Sequence, residues 1–249
     1  MQYGICNLGI VPIRFEPSDT SEMVTQALYG DFFKVLEKRK KWSRVRIAFD
    51  KYEGWIDNKQ YSEIKEDDYV NLQSADINLS KDLIEFVVDK TNNLYPIPMG
   101  SNLNGLALLE HRFDGNVIAS KSPKSNLIAT SFMYLNAPYF WGGKTPFGID
   151  CSGFTQMVYR LNGYTLLRDA SEQATQGEAL SFIEESEPGD LAFFDNSEGH
   201  ITHVGIIMED NYIIHAHGKV RIDRLDHSGI YNKEKNSHTH KLRVIKKII

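Results

Sequence analysis

The sequence predicts an α+β protein, with small β-barrel structure at the N-terminal end and a larger half in which a helix leads into antiparallel strands. Short apolar segments at 11–15, 25–31, 33–37, 42–47 and 52–57 are separated by turn-forming residues, the texture of a small barrel. Phe154, Val158 and Leu161 recur at i, i+4 and i+7 behind Asp150, a good N-cap residue, and so define a helix that begins at Cys151. The apolar runs 191–194, 203–208 and 212–217 predict a buried strand and then a hairpin around Glu209, Asp210 and Asn211.

Taken in order, residues 1–65 form the first unit. The strand at 11–15 runs into Glu16, Pro17, Ser18 and Asp19, a loop by its turn residues. Residues 66–121 read as a second, reduced barrel or a bridging segment. Lys65 to Asp68 and Tyr69 form a charged, solvated connection into this segment, and 83–88 and 103–109 are strands or a short helix. Pro96, Pro98 and Gly100 break the chain between those two segments. Residues 122–249 form the largest unit. It opens with an amphipathic helix at 126–135 and a loop at 137–143, followed by the cysteine helix and a polar stretch around Arg168, Asp169, Ala170 and Ser171. Glu187, Pro188, Gly189 and Asp190 form the turn that launches the buried strand.

With 249 residues the chain has room for one large domain or two to three small ones. Its 41% apolar and 24% charged residues are ordinary for a globular protein. A net charge of −5 with interspersed signs gives no basic footprint, so neither nucleic acid nor a membrane surface is an expected partner. Cys6 and Cys151 are the only cysteines, which excludes a disulfide framework and points to a reducing compartment. The first ten residues lack a basic start and a sustained apolar core, so no signal peptide is read there and a cytoplasmic location is the expectation. An export signal already removed would leave the same sequence. No run approaches the ~20 apolar residues of a membrane span.

The helix-start placement of Cys151 is where chemistry enters. Unpaired N–H groups and the helix dipole at that end favour an anion, so a thiol there ionises more readily and serves as a nucleophile. Most lone cysteines are small packing residues, so the rest of the chain has to supply a base and a group that orients the base. His203 lies on the first hairpin strand, and His215 and His217 lie two apart on the second, facing one side. Partners directly opposite in such a hairpin have Cβ atoms roughly 4.5–5.5 Å apart, close enough for one imidazole to orient another. Hairpin spacing leaves His215 and His217 both open. A metal is not expected, because His200, His203, His215, His217 and Cys151 match neither a zinc-finger spacing nor an HExxH helix, and no CxxC pair occurs. His238 and His240, in a Lys/Asn/Ser-rich tail, are expected to be solvated.

The ordered motifs Tyr139-Phe140-Trp141-Gly142-Gly143, Asp150-Cys151-Ser152-Gly153-Phe154, Pro188-Gly189-Asp190-Leu191, His203-Val204-Gly205-Ile206 and Ile214-His215-Ala216 together resemble the NlpC family. Members are papain-like cysteine peptidases that cut bacterial cell-wall peptides. The Tyr29-Gly30-Asp31 turn, the strand with Trp42 and Val45, and Gly54-Trp55-Ile56 resemble bacterial SH3-type domains. The resemblance implies a papain-like NlpC catalytic domain preceded by one or two small SH3-like β-barrels. It makes Cys151 the nucleophile, His203 the general base and His215 the orienting residue, with His217 as the substitute. Arg168-Asp169-Ala170-Ser171 after the cysteine helix looks like the γ-D-glutamyl-L-diamino acid endopeptidases of this family (dipeptidyl-peptidase VI type). These act on stem peptides with a free N-terminal L-Ala, release L-Ala-γ-D-Glu during peptidoglycan recycling, and use the SH3-type domain to narrow the cleft. Carried over, Asp150, Glu22 and Tyr52 are candidates for the amine, and Tyr139, Ser152 and Ser171 line the substrate groove. An L-Ala-γ-D-Glu-diamino acid peptide is then the partner, no metal or organic cofactor is implied, and the oligomeric state stays open. The rivals are a secreted hydrolase acting on intact peptidoglycan and a papain-like amidase or acyltransferase with another substrate.

Overall fold

The alternating N-terminal segments become strands because every second side chain finds a shared interior. In the computed structural model, which describes residues 2–249 and leaves Met1 outside, they are β1 (Gln2–Ile5), β2 (Ile10–Arg14), β3 (Met23–Leu28), β4 (Phe32–Lys38), β5 (Trp42–Ile47), β6 (Glu53–Asp57) and β7 (Ser62–Ile64). They pair in the order β3-β2-β6-β5-β4-β1-β7 around Val11, Ile13, Phe33, Val45, Ile47 and Ile56. Cys6 is fully buried in the same interior, and burial pushes its thiol up to about 12, so it packs as a small apolar residue. Gly30 makes the tight turn before β4 at φ 76°, where a Cβ would also stand 1.8 Å from the Asn102 carbonyl oxygen.

The charged stretch after β7 is not the solvated connection expected of it. It opens α1 (Glu66–Ser74), whose acidic first turn suits the helix N-terminus and whose Tyr69 and Leu72 are buried against Tyr3, Ile5 and Phe32. Two small sheets follow. In one, β8 (Leu79–Ser80) pairs with β12 (Val117–Ile118). In the other, β9 (Ile84–Val88) lies between β10 (Leu94–Pro98) and β11 (Arg112–Phe113). Pro96 and Pro98 do not break the chain. They sit in the edge strand β10, where a missing N–H is tolerated. Residues 103–109 form neither strand nor helix but consecutive turns, since Asn104 and Gly105 interrupt the apolar run. Leu103 is buried there with Tyr29, Val87 and Ile97.

The chain divides into two compact units, the first ending at Lys121 and the second running from Ser122 to Ile249. In the second, α2 (Asn126–Phe132) stops short of the expected 135 and gives way to turns. After β13 (Lys144–Thr145) and β14 (Gly148–Ile149) comes α3 (Cys151–Leu161), every residue of which is buried, and then α4 (Ala170–Gln173). The strands β15 (Glu178–Leu180), β16 (Leu191–Asp195), β17 (Ile201–Ile207), β18 (Tyr212–His217), β19 (Lys219–Asp226), β20 (Gly229–Asn232) and β21 (Ser237–Lys247) pair in the order β15-β21-β16-β17-β18-β19-β20. Because β20 pairs back onto β21, the six strands β16 to β21 close a barrel and leave no open edge among themselves. Phe194, Ile207, Ile213, Leu225 and Ile230 form a core cluster of this barrel, and α3 packs against β17 and β18. Among the described residues, no helix is long and apolar enough to cross a membrane.

Candidate active site

Asp150 is the point on which the site is assembled. Its backbone is extended and its Oδ1 accepts the Gly153 N–H at 2.6 Å, so it caps α3 as its position predicts. Oδ2 accepts the Gly142 N–H at 2.8 Å. Arg168 then grips both oxygens, Nη1 to Oδ1 at 3.0 Å and Nη2 to Oδ2 at 2.6 Å, in a pair whose arginine is 1% exposed. A buried ion pair persists only when its geometry and remaining hydrogen bonds are satisfied, and here each carboxylate oxygen has two N–H donors. Gly153 is required at this crossing, since a Cβ would lie 2.3 Å from the Gly143 carbonyl oxygen.

The cap sets Cys151 in the first turn of α3. Its sulfur lies 4.0 Å from the Thr202 carbonyl oxygen and receives the Val204 N–H, so it rests on the β17 backbone to either side of His203. Burial first, then the Asp150 charge, push the thiol up to about 12. The readily ionised thiol expected from a helix start is therefore not what the surroundings produce, because desolvation and a nearby carboxylate outweigh the helix end. Burial, reinforced by His215, His240 and His217, likewise holds His203 well below the usual histidine range. Each charged form is disfavoured on its own, so in the resting site both the thiol and the imidazole are held neutral.

His203 Nε2 lies 2.8 Å from His215 Nδ1, and His215 Nε2 lies 3.0 Å from Asp223 Oδ2. Asp223 is in turn held by Arg221, with Nε at 2.7 Å and Nη2 at 3.0 Å. The two histidines are not the directly opposite pair expected, because the residue opposite His215 is Gly205. A Cβ at 205 would lie 2.9 Å from His215 Cβ, so the glycine clears the space through which His215 reaches diagonally to His203. His217 shares the face but stands 6.3 Å, ring to ring, from both His203 and His215 and lies outside the hydrogen-bonded line. His240 departs from the solvated tail expected of it. It lies on β21, and its ring stacks on His203 at 4.2 Å. His238 is the exposed member of that pair, bonded to Asp226 at 2.9 Å.

Tyr139 is half-buried, and burial first, then the charges of Cys151 and Asp150, push its hydroxyl up to about 12. Ser152 is buried with its Oγ accepting Arg168 Nη1 at 2.9 Å. Ser171 is exposed on α4, whose Gln173 donates to the Ser152 carbonyl at 2.9 Å. The amine contact expected of Asp150 finds both its oxygens already engaged. Glu22 and Tyr52 belong to the first unit: the Glu22 carbonyl accepts the Phe15 N–H at 2.9 Å, and the Tyr52 N–H donates to Asp50 Oδ1 at 3.0 Å. Sequence reasoning gave Arg221 and Asp223 no place, quoted Gly205 only within a motif, and expected His240 to be solvated. The period-2 spacing of Arg221 and Asp223 was visible, but their partner depends on the register that sets His215 opposite Arg221. Among the described residues, no three of His, Cys, Asp and Glu are grouped to hold a metal ion.

A thiol at a helix start, set against an antiparallel barrel that carries its histidine and an orienting partner, is the arrangement of a papain-like cysteine peptidase. Residues 136–239 match the NlpC/P60 family and residues 13–60 match the bacterial dipeptidyl-peptidase SH3 domain. The chain thus carries an NlpC/P60 cysteine-peptidase domain, preceded in sequence by an SH3 domain of the bacterial dipeptidyl-peptidase kind. It is 27% identical over 215 residues to the gamma-D-glutamyl-L-lysine dipeptidyl-peptidase of Bacillus subtilis, covering 77% of this chain and 71% of that one. It is also 27% identical over 251 residues to dipeptidyl-peptidase 6 of Lysinibacillus sphaericus, covering 85% and 87%. The crystal structure of an NlpC/P60 family protein from Bacillus cereus has the same fold, with a TM-score of 0.78 at 20% identity over 99% of each chain.

Proposed function

We propose that this protein hydrolyses the γ-D-glutamyl–L-diamino acid bond of peptidoglycan stem peptides that carry a free N-terminal L-Ala, releasing L-Ala-γ-D-Glu. The observation that carries the reaction class is the 2.8 Å bond between His203 and His215 beside the Cys151 sulfur. The names of the Bacillus subtilis and Lysinibacillus sphaericus relatives support the bond and the unblocked N-terminus. The proposed role is turnover of small peptide fragments in the cytoplasm.

The chemistry follows from the site. Cys151 Sγ attacks the γ-carbonyl carbon while its proton moves to His203 Nδ1, the nitrogen that His215 does not engage. The developing oxyanion faces the Cys151 N–H at the start of α3, a donor already oriented before the reaction begins. His203 then gives its proton to the nitrogen of the diamino acid as the C–N bond breaks. Water attacks the thioester and passes a proton to His203, the C–S bond breaks, and the proton returns to sulfur. Asp150 takes no part in these transfers and serves as the buried cap that holds the helix start and the 142–143 loop together.

Cleavage of L-Ala-γ-D-Glu-diamino acid tripeptide, free and N-acetylated, by wild type and Cys151→Ala tests the proposal. Cleavage of the free peptide alone, by wild type alone, supports it. If both peptides are cut, the free-amine requirement is wrong and hydrolysis of intact wall moves ahead. If neither is cut while iodoacetamide still labels Cys151, the substrate belongs to another acyl class. Turnover by Cys151→Ala removes the thiol mechanism.

A further inference from the structure

We propose that Asp223 is a positioning residue that determines, through His215, which nitrogen of His203 is left to act as the base. It rests on the reading of Cys151 and His203 as nucleophile and base, and it is independent of which peptide is cut.

The inference follows from counting protons along the line. Arg221 offers only donors and meets both oxygens of Asp223, at 2.7 and 3.0 Å, so both oxygens are acceptors. Although burial raises the Asp223 carboxyl, the hydrogen bonds from His215 and Arg221 outweigh it and hold the group below its usual range. An ionised carboxylate only accepts, so His215 Nε2, 3.0 Å away, carries a proton. His215 is itself held below the usual histidine range, chiefly by burial, and is therefore the neutral ring with a single N–H. Its Nδ1 is then a lone pair, and His203 Nε2 at 2.8 Å has to be the donor. A neutral His203 whose proton sits on Nε2 presents its lone pair on Nδ1. Every bond in the line runs toward Asp223, and it still does so after His203 takes the thiol proton. Proton transfer at the sulfur therefore requires no reversal of hydrogen bonds behind the base. Without the carboxylate, the bond between the two imidazoles satisfies either direction equally, and half of those arrangements put the His203 proton on the wrong nitrogen.

The geometry suits this role and little else. Asp223 is buried on β19, reaches the ring of His215 diagonally across the sheet, and is 5% exposed through its side chain. Glu234, on the solvent side of Arg221 at 3.1 Å, is 76% exposed and supplies the arginine with a second anion that never touches the histidines.

The test is 15N spectroscopy of the imidazoles in the full chain at pH 7.5, alongside turnover of the tripeptide and the pH profile of Cys151 alkylation. In wild type, His203 and His215 are both expected as the Nε2–H form. Asp223→Asn is isosteric, but its amide presents either oxygen or NH2 to His215, so the lock is released. Mixed His203 forms and a fall in kcat of about 10- to 100-fold at little-changed KM are expected. That is smaller than the ~10⁴-fold effect of neutralising a carboxylate that touches the base directly. Asp223→Glu keeps the charge and is expected to recover most of the activity. In a His215→Asn background, Asp223→Asn is expected to cost nothing further, because the line is already cut. The proposal is overturned if His203 remains wholly Nε2–H in Asp223→Asn, if wild-type His215 is found doubly protonated, or if the losses simply add in the double variant. The spectra and the alkylation profile need no substrate, so a tripeptide that is not cut leaves this inference open to test while removing the proposed substrate.

Discussion

Gly205→Ala is the substitution by which the diagonal histidine contact is most directly probed. Directly opposite Cβ atoms in an antiparallel pair normally stand roughly 4.5–5.5 Å apart. A Cβ built at 205 lies only 2.9 Å from His215 Cβ and 2.7 Å from Ile213 Cδ1. The isoleucine side chain, whose Cγ1 also lies 2.9 Å away, can change rotamer, but His215 Cβ is anchored to β18. Relief therefore requires His215 to move by about 2 Å, and a shift of half that size takes its 2.8 Å bond to His203 beyond the usual ~3.2 Å limit. Overpacking of this kind costs about 1–3 kcal/mol in stability, and misplacement of a reacting group by about 1 Å costs on the order of 10² in rate. Urea unfolding and steady-state kinetics on the tripeptide separate the two effects, with the fall expected in kcat rather than KM. Gly205→Ala/His215→Ala should recover stability without recovering rate. A Gly205→Ala enzyme with wild-type kcat would refute the claim that the missing Cβ is what lets His215 reach the base.

Two further outcomes concern the surroundings of the site. Arg168→Met leaves the Asp150 carboxylate buried without its guanidinium, and a loss of about 3–5 kcal/mol in urea unfolding is expected. Arg168→Lys should restore only part of it, since an ammonium cannot grip both oxygens in parallel, and full restoration would show that charge alone suffices. His203, His215, His217 and His240 all titrate below the ordinary histidine value, chiefly because burial disfavours the imidazolium. The unfolded chain therefore takes up protons first, so stability is full above about pH 6.5 and is lost as the pH falls toward the folded values, about 4 for His240. His240→Gln should make the urea midpoint fall less between pH 7.5 and pH 5 than it does in wild type. An unchanged pH dependence would remove His240 from the buried cluster.

Much of the site was legible because its determinants are local. An aspartate before an apolar 3.6-residue repeat specifies a capped helix start, and Cys151 occupies that start whatever the rest of the chain does. Period-2 alternation put His203 on one strand and His215 and His217 on one face of the next, before any pairing was known. The barrel strands of the first unit followed from the same alternation. Where local texture misled, burial decided the outcome. Glu66, Asp67 and Asp68 resemble a linker, yet they open a helix because Tyr69 and Leu72 find an apolar surface to cover.

The sequence by itself determined where the capped helix start, the turns and the strand faces fall, because caps, turns and periodicities depend on neighbours a few positions apart. The tertiary structure alone decided how the residues set there are coupled. The choice of His215 over His217 depends on the pairing of β17 with β18, and the arrival of Asp223 behind it depends on the pairing of β18 with β19. The stacking of His240 on His203 depends on β21 closing the barrel against both β16 and β20. Desolvation, which reverses the expected readiness of the Cys151 thiol to ionise, is likewise a property of everything packed around the sulfur. Register, closure and burial are sums over residues distant in the chain, so no local pattern encodes them.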